Sequence, residues 1–320
     1  MSPGLVFVEN ALQSLYTGLI VGCIYGLMCV GLALIFSVMR VINFAQGEFL
    51  MLGMYAALFV FTQLGVGAVL GPYLGPFVSA ILAGGIVFVA GVVLYEIFLR
   101  RITGLQVART EGEGHYPQLT LTLGLSLVLS NGGLILFGSS PVTMRTPMSS
   151  SAWELGPLFG TEMTLFLNQG RTIASIVALA VAAAMAIFIS RARLGKVLRA
   201  AADNPVAATY MGIHVGRAHR LAFALGAAVT AMAGGLIATY YPFQPYIGIE
   251  FVIVMYAGVV LGGMGSVGGA FWGGVTIGLV QQLSTLVLPN QLQNAAIFVA
   301  FLLIVLLRPQ GLFGRNVERI

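Results

Sequence analysis

Charged side chains are scarce in this sequence of 320 residues: Asp, Glu, Lys and Arg make up 8% of it, whereas soluble domains contain about 25%. Hydrophobic residues make up 58%, and the mean hydropathy is +0.98. Six long stretches carry no charge: 10–39, 49–95, 114–144, 172–190, 221–249 and 251–307. Because a bilayer-spanning helix needs roughly 20 apolar residues, the sequence excludes a soluble enzyme domain and indicates an all-α polytopic membrane protein.

Cysteine is nearly absent, which excludes a disulfide scaffold. Cys23 and Cys29 both lie in the first apolar stretch, about 240° apart on a helix, and are typical of small buried side chains. The three histidines are His115, His214 and His219. We expect them to be solvated in basic loops, because their spacing is poor for a metal site. No metal, cofactor, catalytic residue or nucleic-acid partner is predicted.

The sequence also lacks a nucleotide-binding motif. Gly263 to Gly268 fits G-x-G-x-x-G, but no acidic residue occurs between Glu250 and Glu318, and a dinucleotide site requires one about 20 residues on. Lys196 is not part of a P-loop either, since its first glycine position holds a serine. We expect a helix-breaking turn instead, formed by Gly262, Gly263, Gly265 and Gly268.

Glycine, proline and polar residues divide the apolar stretches into candidate spans. These are 12–36, 48–62, 77–99, 118–138, 172–190, 221–240, 251–263, 269–288 and 292–307. The short pieces 48–62 and 251–263 are candidates for broken or re-entrant segments, which proteins tolerate at membrane depth where other backbone covers them. We therefore expect about 8–10 transmembrane helices in a single transmembrane domain that covers residues 1–320.

Glycines recur at intervals of four residues in several spans. Examples are Gly18, Gly22 and Gly26, followed later by Gly258 and Gly262, Gly269 and Gly273, and Gly274 and Gly278. Small residues at this spacing let helix backbones approach closely. The pattern predicts tight packing within the bundle or against a second membrane subunit.

Basic residues are concentrated on one side of the predicted topology. With nine alternating spans, one side receives Arg40, Arg100, Arg101, Arg109, Arg191, Arg193, Lys196, Arg199, Arg217, Arg220, Arg308, Arg315 and Arg319. The other side keeps Arg145 and Arg171. Because cytoplasmic loops are enriched in Lys and Arg, we place the 191–220 loop and the C-terminus in the cytoplasm and the N-terminus outside. The segment 139–171, with Trp153, Glu154 and Glu162, is then the longest external one.

The first distinctive element is the basic loop from Arg191 to Arg217. Small and apolar residues recur at helical spacing between Leu198 and Met211. Asp203-Asn204-Pro205 is placed like an N-cap with a first-turn proline, and Gly212 supplies a stop. A short helix of this kind, flanked by cations, suits docking into a groove of another protein. The alternative is an interfacial helix that lies on lipid headgroups.

The second element is Arg40-Val-Ile-Asn-Phe-Ala-Gln-Gly-Glu48, in which polar groups interrupt a long apolar stretch. Ionisable groups near membrane depth are costly and usually functional. Asn43, Gln46 and Glu48 could cap a broken helix, with Gly47 at the turn. The alternative is a tight cytoplasmic loop with a snorkelling Arg40.

At these two elements the chain resembles the permeases of branched-chain (hydrophobic) amino acid ABC importers, and the resemblance spans nearly the whole length. The matching segments are Gly31-Leu-Ala-Leu-Ile-Phe36, Ile42-Asn-Phe-Ala-Gln-Gly-Glu48, Gly53-Met-Tyr55, Leu194-Gly-Lys196, Arg199-Ala200, 203–213, Pro245-Tyr-Ile-Gly248, Leu261-Gly-Gly-Met-Gly-Ser266, Gly269-Ala270 and Arg308-Pro-Gln-Gly-Leu-Phe-Gly314. The first basic loop departs from the family pattern, since it reads Glu96-Ile-Phe-Leu-Arg-Arg-Ile-Thr103 without the usual Arg-Pro-x-Arg.

The resemblance implies a non-enzymatic permease in a bacterial inner membrane. Its implied partners are a second homologous permease, two ABC ATPase subunits, a periplasmic binding protein and the lipid bilayer. It also implies a coupling helix that contacts the ATPase through Ala202, Asp203, Ala207, Ala208, Gly212 and Ile213. The implied translocation-path residues are Asn43, Gln46, Gly47 and Glu48. Residues 241–248 and 139–171 would meet the binding protein.

Two alternatives concern function. Permeases of this type also serve urea, short amides or aromatic carboxylates, so the family leaves the substrate open. A stand-alone channel or ion-coupled carrier would usually need acidic or histidine side chains inside the membrane. Only Glu48, Glu96 and Glu250 come near, all at predicted span ends. The resemblance therefore favours the importer.

Overall fold

The computed structural model describes residues 3–100, 116–158, 163–308 and 310–312. Its helices are α1 (Pro3–Met39), α2 (Gln46–Thr62), α3 (Val66–Leu94, continued by a π-helical turn at Tyr95–Leu99), α4 (Tyr116–Phe137), α5 (Pro147–Ser150), α6 (Gln169–Arg191), α7 (Arg193–Asp203), α8 (Pro205–Tyr210), α9 (Val215–Ile237), α10 (Ile247–Gly262), α11 (Val267–Ser284) and α12 (Gln293–Leu307). Two strands, β1 (Ala152–Leu158) and β2 (Met163–Asn168), form a hairpin. Arg101, Arg109, His115, Glu162, Arg315 and Arg319 lie outside the described residues.

Each of the nine predicted spans contains one of these helices, so the polytopic helical class is confirmed. Within the described ranges, five helices are long and apolar enough to cross a bilayer: α1, α3 with its π turn, α4, α6 and α9. Helices α10 and α11 are bent by 120° at their junction and bring the number to six if they count as one span. With 17 and 15 residues, α2 and α12 are shorter than the roughly 20 residues of a full span.

The long helix α1 is the centre of the bundle. Its middle section, around Ile24, Leu27 and Met28, is fully buried among α6, α9, α10 and α11. Helix α9 is also buried over most of its length and packs on α1, α2 and α3. Helices that are apolar on all sides are typical of a membrane-embedded core. Helices α1 and α9 therefore pack against each other in the core of the bundle.

Glycines bring α1 and α11 into backbone contact, as their spacing predicts. A methyl group at Gly274 would lie 2.5 Å from the backbone nitrogen of Gly26, and one at Gly22 would lie 2.7 Å from the Val275 carbonyl. Gly258 and Gly262 similarly face Gly274 and Gly269. In lipid, helices associate through such close packing rather than through a hydrophobic driving force. The predicted glycine contacts thus lie inside this bundle.

The bundle has two distinct ends. At the basic end, Arg40 and Arg199 line one cleft, and Glu96 forms ion pairs with Arg100 and Arg220. At the hairpin end, Asn168 caps α6 by accepting a hydrogen bond from the Arg171 amide at 3.0 Å. Four of the basic residues predicted for one side, Arg40, Arg100, Arg199 and Arg220, thus lie at the basic end.

Three local details differ from the sequence predictions. Helix α1 begins before residue 12, because Glu9 and Gln13 find hydrogen-bond partners on β2. Helix α9 begins before residue 221, which buries His219 inside the bundle instead of leaving it in a solvated loop. The β-hairpin was not predicted from the external segment.

Replacement of Gly274 by alanine should destabilise the protein by about 1–3 kcal/mol, since the added methyl overpacks a backbone contact. Thermal unfolding of the purified chain in detergent measures this. Gly85→Ala is the matched control, because a methyl group there meets nothing within 4 Å. Equal unfolding temperatures for the two variants would show that the α1–α11 contact is not tight.

Candidate functional site

The turn between α1 and α2 is held by local hydrogen bonds. Arg40 ends α1 in a left-handed backbone conformation (φ 53°). The Asn43 side chain then accepts a hydrogen bond from the Ala45 amide at 3.2 Å and donates one to Gln46 Oε1 at 3.0 Å. Both side chains are fully buried. The segment therefore forms a hydrogen-bonded turn before α2, but the predicted side-chain cap is not observed, since the N-cap residue Ala45 has no side-chain capping hydrogen bond.

Gln46 connects this turn to α9. Its Nε2 donates to the Gly226 carbonyl at 3.2 Å and to the Thr230 hydroxyl. Gly31 of α1 faces the same two residues, and a methyl group there would collide with them. A buried polar group is tolerated only where it is hydrogen-bonded. These contacts therefore fix α1, α2 and α9 to one another at the start of α2.

Gly47 and Glu48 lie where α2 meets α10. A methyl group on Gly248 would be 2.8 Å from the Gly47 carbonyl and 3.1 Å from the Glu48 carboxyl carbon. Ser126 of α4 donates a hydrogen bond to Glu48 Oε1 at 3.2 Å, while Oε2 is buried with no partner among the described residues. The four predicted path residues are thus brought together, packed inside protein, and none of them lines a described cavity.

The basic loop contains two helices rather than one continuous coupling helix. Asn204 interrupts the helix at φ −148° and accepts a hydrogen bond from the Ala207 amide at 2.9 Å, and Pro205 starts α8. The predicted cap is therefore correct, but Ala202 and Asp203 end α7 and do not belong to α8. The extended backbone that proline favours in the preceding residue explains the break.

Helix α8 projects an apolar surface. Val206, Tyr210 and Met211 are 61%, 86% and 82% exposed, while Ala208 is buried and Ala207 is exposed. Gly212 ends the helix with a positive φ of 81°, and the Ile213 amide returns to the Ala208 carbonyl at 2.9 Å. Sequence reasoning selected the small residues of this helix and missed the large exposed ones.

The predicted glycine turn joins α10 to α11. Gly263 and Gly265 both have positive φ, 99° and 118°, and the Ser266 hydroxyl caps α11 by accepting from the Gly269 amide at 3.0 Å. Gly262 packs directly against Gly269 across the bend. The C-terminal segment packs against the turn, and the Leu312 amide donates a hydrogen bond to the Leu261 carbonyl at 2.7 Å. The helix-breaking turn therefore lies at Gly263 and Gly265, whereas Gly262 ends α10 and Gly268 lies in the first turn of α11.

A cleft of about 1070 Å³ at the basic end, named here the basal cleft, joins these elements. Its lining includes Arg40, Val41 and Ile42 before the polar turn, Arg199, Ala202 and Asp203 of α7, and 263–267. Parts of the basic loop and of the glycine turn therefore line the same cleft as the residues that lead into α2. The residues that line the basal cleft are far apart in the sequence, so the spacing of residues along the chain does not predict the cleft.

A second cavity, about 400 Å³, opens at the hairpin end and is named here the outer cavity. Arg171, Tyr240, Tyr241 and Glu250 contribute polar walls. The Arg171 guanidinium lies over the Tyr240 ring, 5.2 Å from its centroid. Burial and the nearby Glu250 carboxylate raise the pKa of Tyr241. Sequence reasoning left Arg171 and Glu250 without a role, although both are charges at span ends.

The 139–171 segment forms a folded surface beside the outer cavity. β1 and β2 pair antiparallel from Ala152–Asn168 to Leu158–Met163. Gln13 of α1 hydrogen-bonds both the amide and the carbonyl of Phe166. Trp153 and Leu155 remain exposed on the hairpin.

These features define a multi-pass membrane protein with an exposed apolar helix at one end and a polar cavity at the other. Among the described residues, no group of His, Cys, Asp and Glu could hold a metal ion. The chain belongs to the family of permease components of branched-chain amino acid transport systems, whose family model matches residues 14–307.

Similar proteins agree over nearly the whole length. The chain is 28% identical to the high-affinity branched-chain amino acid transport system permease protein LivH of Escherichia coli K12, over 97% of each chain. It is 29% identical to the corresponding protein BraD of Pseudomonas aeruginosa, over 98% of this chain and 99% of that one. A probable LivH of Methanocaldococcus jannaschii is 26% identical, over 88% and 81%. No solved structure matches the chain.

Replacement of Gln46 by leucine should destabilise the protein by about 1–3 kcal/mol, because the buried Gly226 carbonyl and Asn43 amide lose a partner. The measurement is thermal unfolding in detergent. Gln63→Leu makes the same change at an exposed position just after α2 and should leave the unfolding temperature nearly unaltered. If Gln46→Leu matched this control, the hydrogen bonds to α9 would not stabilise the fold.

Proposed function

We propose that this chain is the permease subunit of an ATP-driven importer of branched-chain amino acids in a bacterial inner membrane. It pairs with a second homologous permease, binds two ABC ATPase subunits and receives substrate from a periplasmic binding protein. The family match and the names of the relatives support the substrate class. Among the observations on this chain, the exposed apolar α8 carries the proposal, since it gives the permease a contact for a separate ATPase.

The basic end faces the cytoplasm in this proposal. Cytoplasmic loops of membrane proteins are rich in Lys and Arg, and α7 with its flanks carries Arg191, Arg193, Lys196 and Arg199. The N-terminus and the β-hairpin are then periplasmic, on the side of the binding protein. This orientation also places the C-terminal segment after α12 in the cytoplasm.

Helix α8 is the coupling helix that enters a groove of the ATPase. Val206, Tyr210 and Met211 form its contact surface, and the small Ala207 at the same exposed face lets the helix approach closely. Gly212 and Ile213 fix the turn that returns the chain to α9. Interfaces depend on a few large apolar or aromatic side chains seated in pockets, which is the kind of side chain that α8 presents.

Helix α7 transmits the movement of α8 into the membrane. Leu198 and Ala201 of α7 are buried against Leu34 and Val38 of α1 and against α9. Ala202 and Asp203 face the basal cleft, opposite the glycine turn. A displacement of α8 therefore pushes on α1, on the entry to α2 and on the α10–α11 bend together.

The polar turn supports the translocation path. Asn43 and Gln46 hold the start of α2 against α9, and Gly47 lets α10 cross it at van der Waals distance. Glu48 lies at that crossing, with one carboxylate oxygen free of partners among the described residues. In the proposed importer these residues act as the fixed point about which the surrounding helices move.

The hairpin surface and residues 241–248 contact the binding protein. The Val142–Phe243 bridge joins these two segments through a pair of 2.9 Å backbone hydrogen bonds. Exposed Trp153, Leu155, Tyr241 and Tyr246 supply amphipathic contact area around them. Docking there would place the substrate above the outer cavity.

The function is tested by isolating the tagged chain from its native membrane and reconstituting the recovered complex in liposomes with its binding protein. We expect co-purification of P-loop ATPases and a second permease, and uptake of labelled leucine that requires ATP. Uptake should persist when a protonophore removes the proton gradient. An ATPase-free chain whose uptake follows the proton gradient would overturn the proposal in favour of a carrier.

Val206→Glu should reduce both ATPase recovery with the permease and leucine uptake by at least tenfold, because a charge is buried without a partner in the groove. Pull-down and uptake assays measure these effects. Val287→Glu is the control: the same change at an 87% exposed valine that follows α11, at the hairpin end. Unchanged ATPase binding in Val206→Glu would remove α8 from the interface.

A further inference from the structure

The outer cavity combines two opposite charges with an apolar wall. Arg171 begins α6 and Glu250 lies in the first turn of α10, on opposite elements of the cavity lining. Val21, Ile237 and Val254 are the aliphatic members of its lining, which also contains Gln281, Gln282, Gln293 and Asn294. At about 400 Å³, the cavity is near the lower end of the roughly 300–1,000 Å³ range of small-molecule sites.

Neither charge forms an ion pair with another described residue. In the described ranges, the ion pairs involve Glu96 with Arg100 and Arg220, and neither Arg171 nor Glu250 takes part in one. The Arg171 guanidinium contacts the face of Tyr240, and no described side chain or carbonyl accepts a hydrogen bond from it. A guanidinium that stacks on a ring keeps its N–H groups available. These N–H groups can donate two parallel hydrogen bonds to a carboxylate.

Tyr240 also fixes the position of this guanidinium. Burial raises the pKa of Tyr240, so its ring is a neutral aromatic surface at physiological pH. A cation over such a face is attracted to it. Arg171 is therefore held in place by a contact that leaves its hydrogen-bonding edge unoccupied.

We propose that the outer cavity is a binding site for a free α-amino acid with an aliphatic side chain. Arg171 binds the α-carboxylate, Glu250 binds the α-ammonium group, and Val21, Ile237 and Val254 contact the side chain. This inference rests on the proposed function, since it gives the imported substrate a site within the permease itself. The site lies between the binding-protein surface and the crossing of α2 with α10.

The charge pattern selects against other solutes of similar size. A neutral amide such as urea leaves both charges without a counter-charge, and an aromatic carboxylate leaves Glu250 unpaired. Arg171 is half-buried and Glu250 is exposed, so the selectivity comes from the two charge-assisted contacts that only a zwitterion makes. A zwitterion satisfies both groups at once.

Glu250 also connects the site to the path. It lies in the same helical turn as Gly248, whose backbone contacts Gly47 and the Glu48 carboxyl group. An amino acid held by Glu250 is therefore one helical turn from the polar turn that begins α2. A ligand released from this site would next meet the polar turn at the start of α2.

The test uses the complete complex in liposomes with its binding protein, with uptake of labelled leucine and ATPase activity measured on the same sample. Arg171→Gln and Glu250→Gln should each lower uptake at least tenfold. The ATPase activity stimulated by leucine-loaded binding protein should stay within twofold of wild type, because docking is unaffected. Arg171→Lys keeps the positive charge but loses the planar guanidinium that donates two parallel hydrogen bonds. Its uptake should therefore lie between those of wild type and Arg171→Gln.

Arg145→Gln is the matched control, since it removes a charge at the same end of the bundle, at an exposed position that does not line the cavity. Uptake by the two glutamine variants within twofold of wild type would overturn the site. A parallel loss of uptake and of stimulated ATPase activity would also overturn it, since the residues would then serve docking or assembly. Failure of the wild-type complex to transport leucine would instead overturn the proposed function.

Discussion

Backbone contact between helices at glycine is the constraint on which the rest of this structure depends. Lipid chains are as apolar as the helix surfaces, so moving a leucine side chain from lipid into a helix interface gains no hydrophobic free energy. The helices must therefore associate through close packing. Gly26 and Gly274 let α1 and α11 touch, and Gly47 and Gly248 do the same for α2 and α10. With these contacts in place, α1 becomes a central helix surrounded by others.

The close packing in turn permits irregular backbone inside the bundle. The chain leaves helical geometry at 40–45 and at 263–266, where free amide and carbonyl groups would be costly in lipid. The Asn43 side chain accepts a hydrogen bond from the Ala45 amide in the turn before α2, Ser266 caps α11, and the surrounding helices exclude lipid. Half-length helices such as α2 and α10 are therefore stable here, because their ends lie against protein.

The sequence predicted the helical elements well and their surroundings poorly. Each of the nine predicted segments contains a described helix, because uncharged stretches and glycine or proline boundaries are local signals. Only five of these helices, or six with the bent pair α10–α11, are long enough to cross a bilayer. The hairpin was missed, because β2 is fixed by Gln13, far away in the chain. The break at Asn204 carried a cap signal in Asp203-Asn204-Pro205, yet the small residues on both sides favoured a single helix.

In the candidate site, too, the sequence singles out some residues, and only the fold identifies the others. Asn43, Gln46 and Glu48 stood out because polar side chains are rare in such stretches, and the structure does bring them together. Arg171 and Glu250 gave no such signal, since a charge at the end of a span is ordinary. Only the fold, which brings α6 and α10 to opposite sides of one cavity, gives these two residues a common environment.

The arrangement of the two cavities constrains how a solute could cross. The basal cleft and the outer cavity share no lining residue within the described ranges. Gln46 holds the start of α2 to α9 by buried hydrogen bonds, and breaking buried hydrogen bonds is costly. In the proposed importer the helices therefore tilt with this contact intact, and α7, which packs on α1 and α9, is placed to drive that movement.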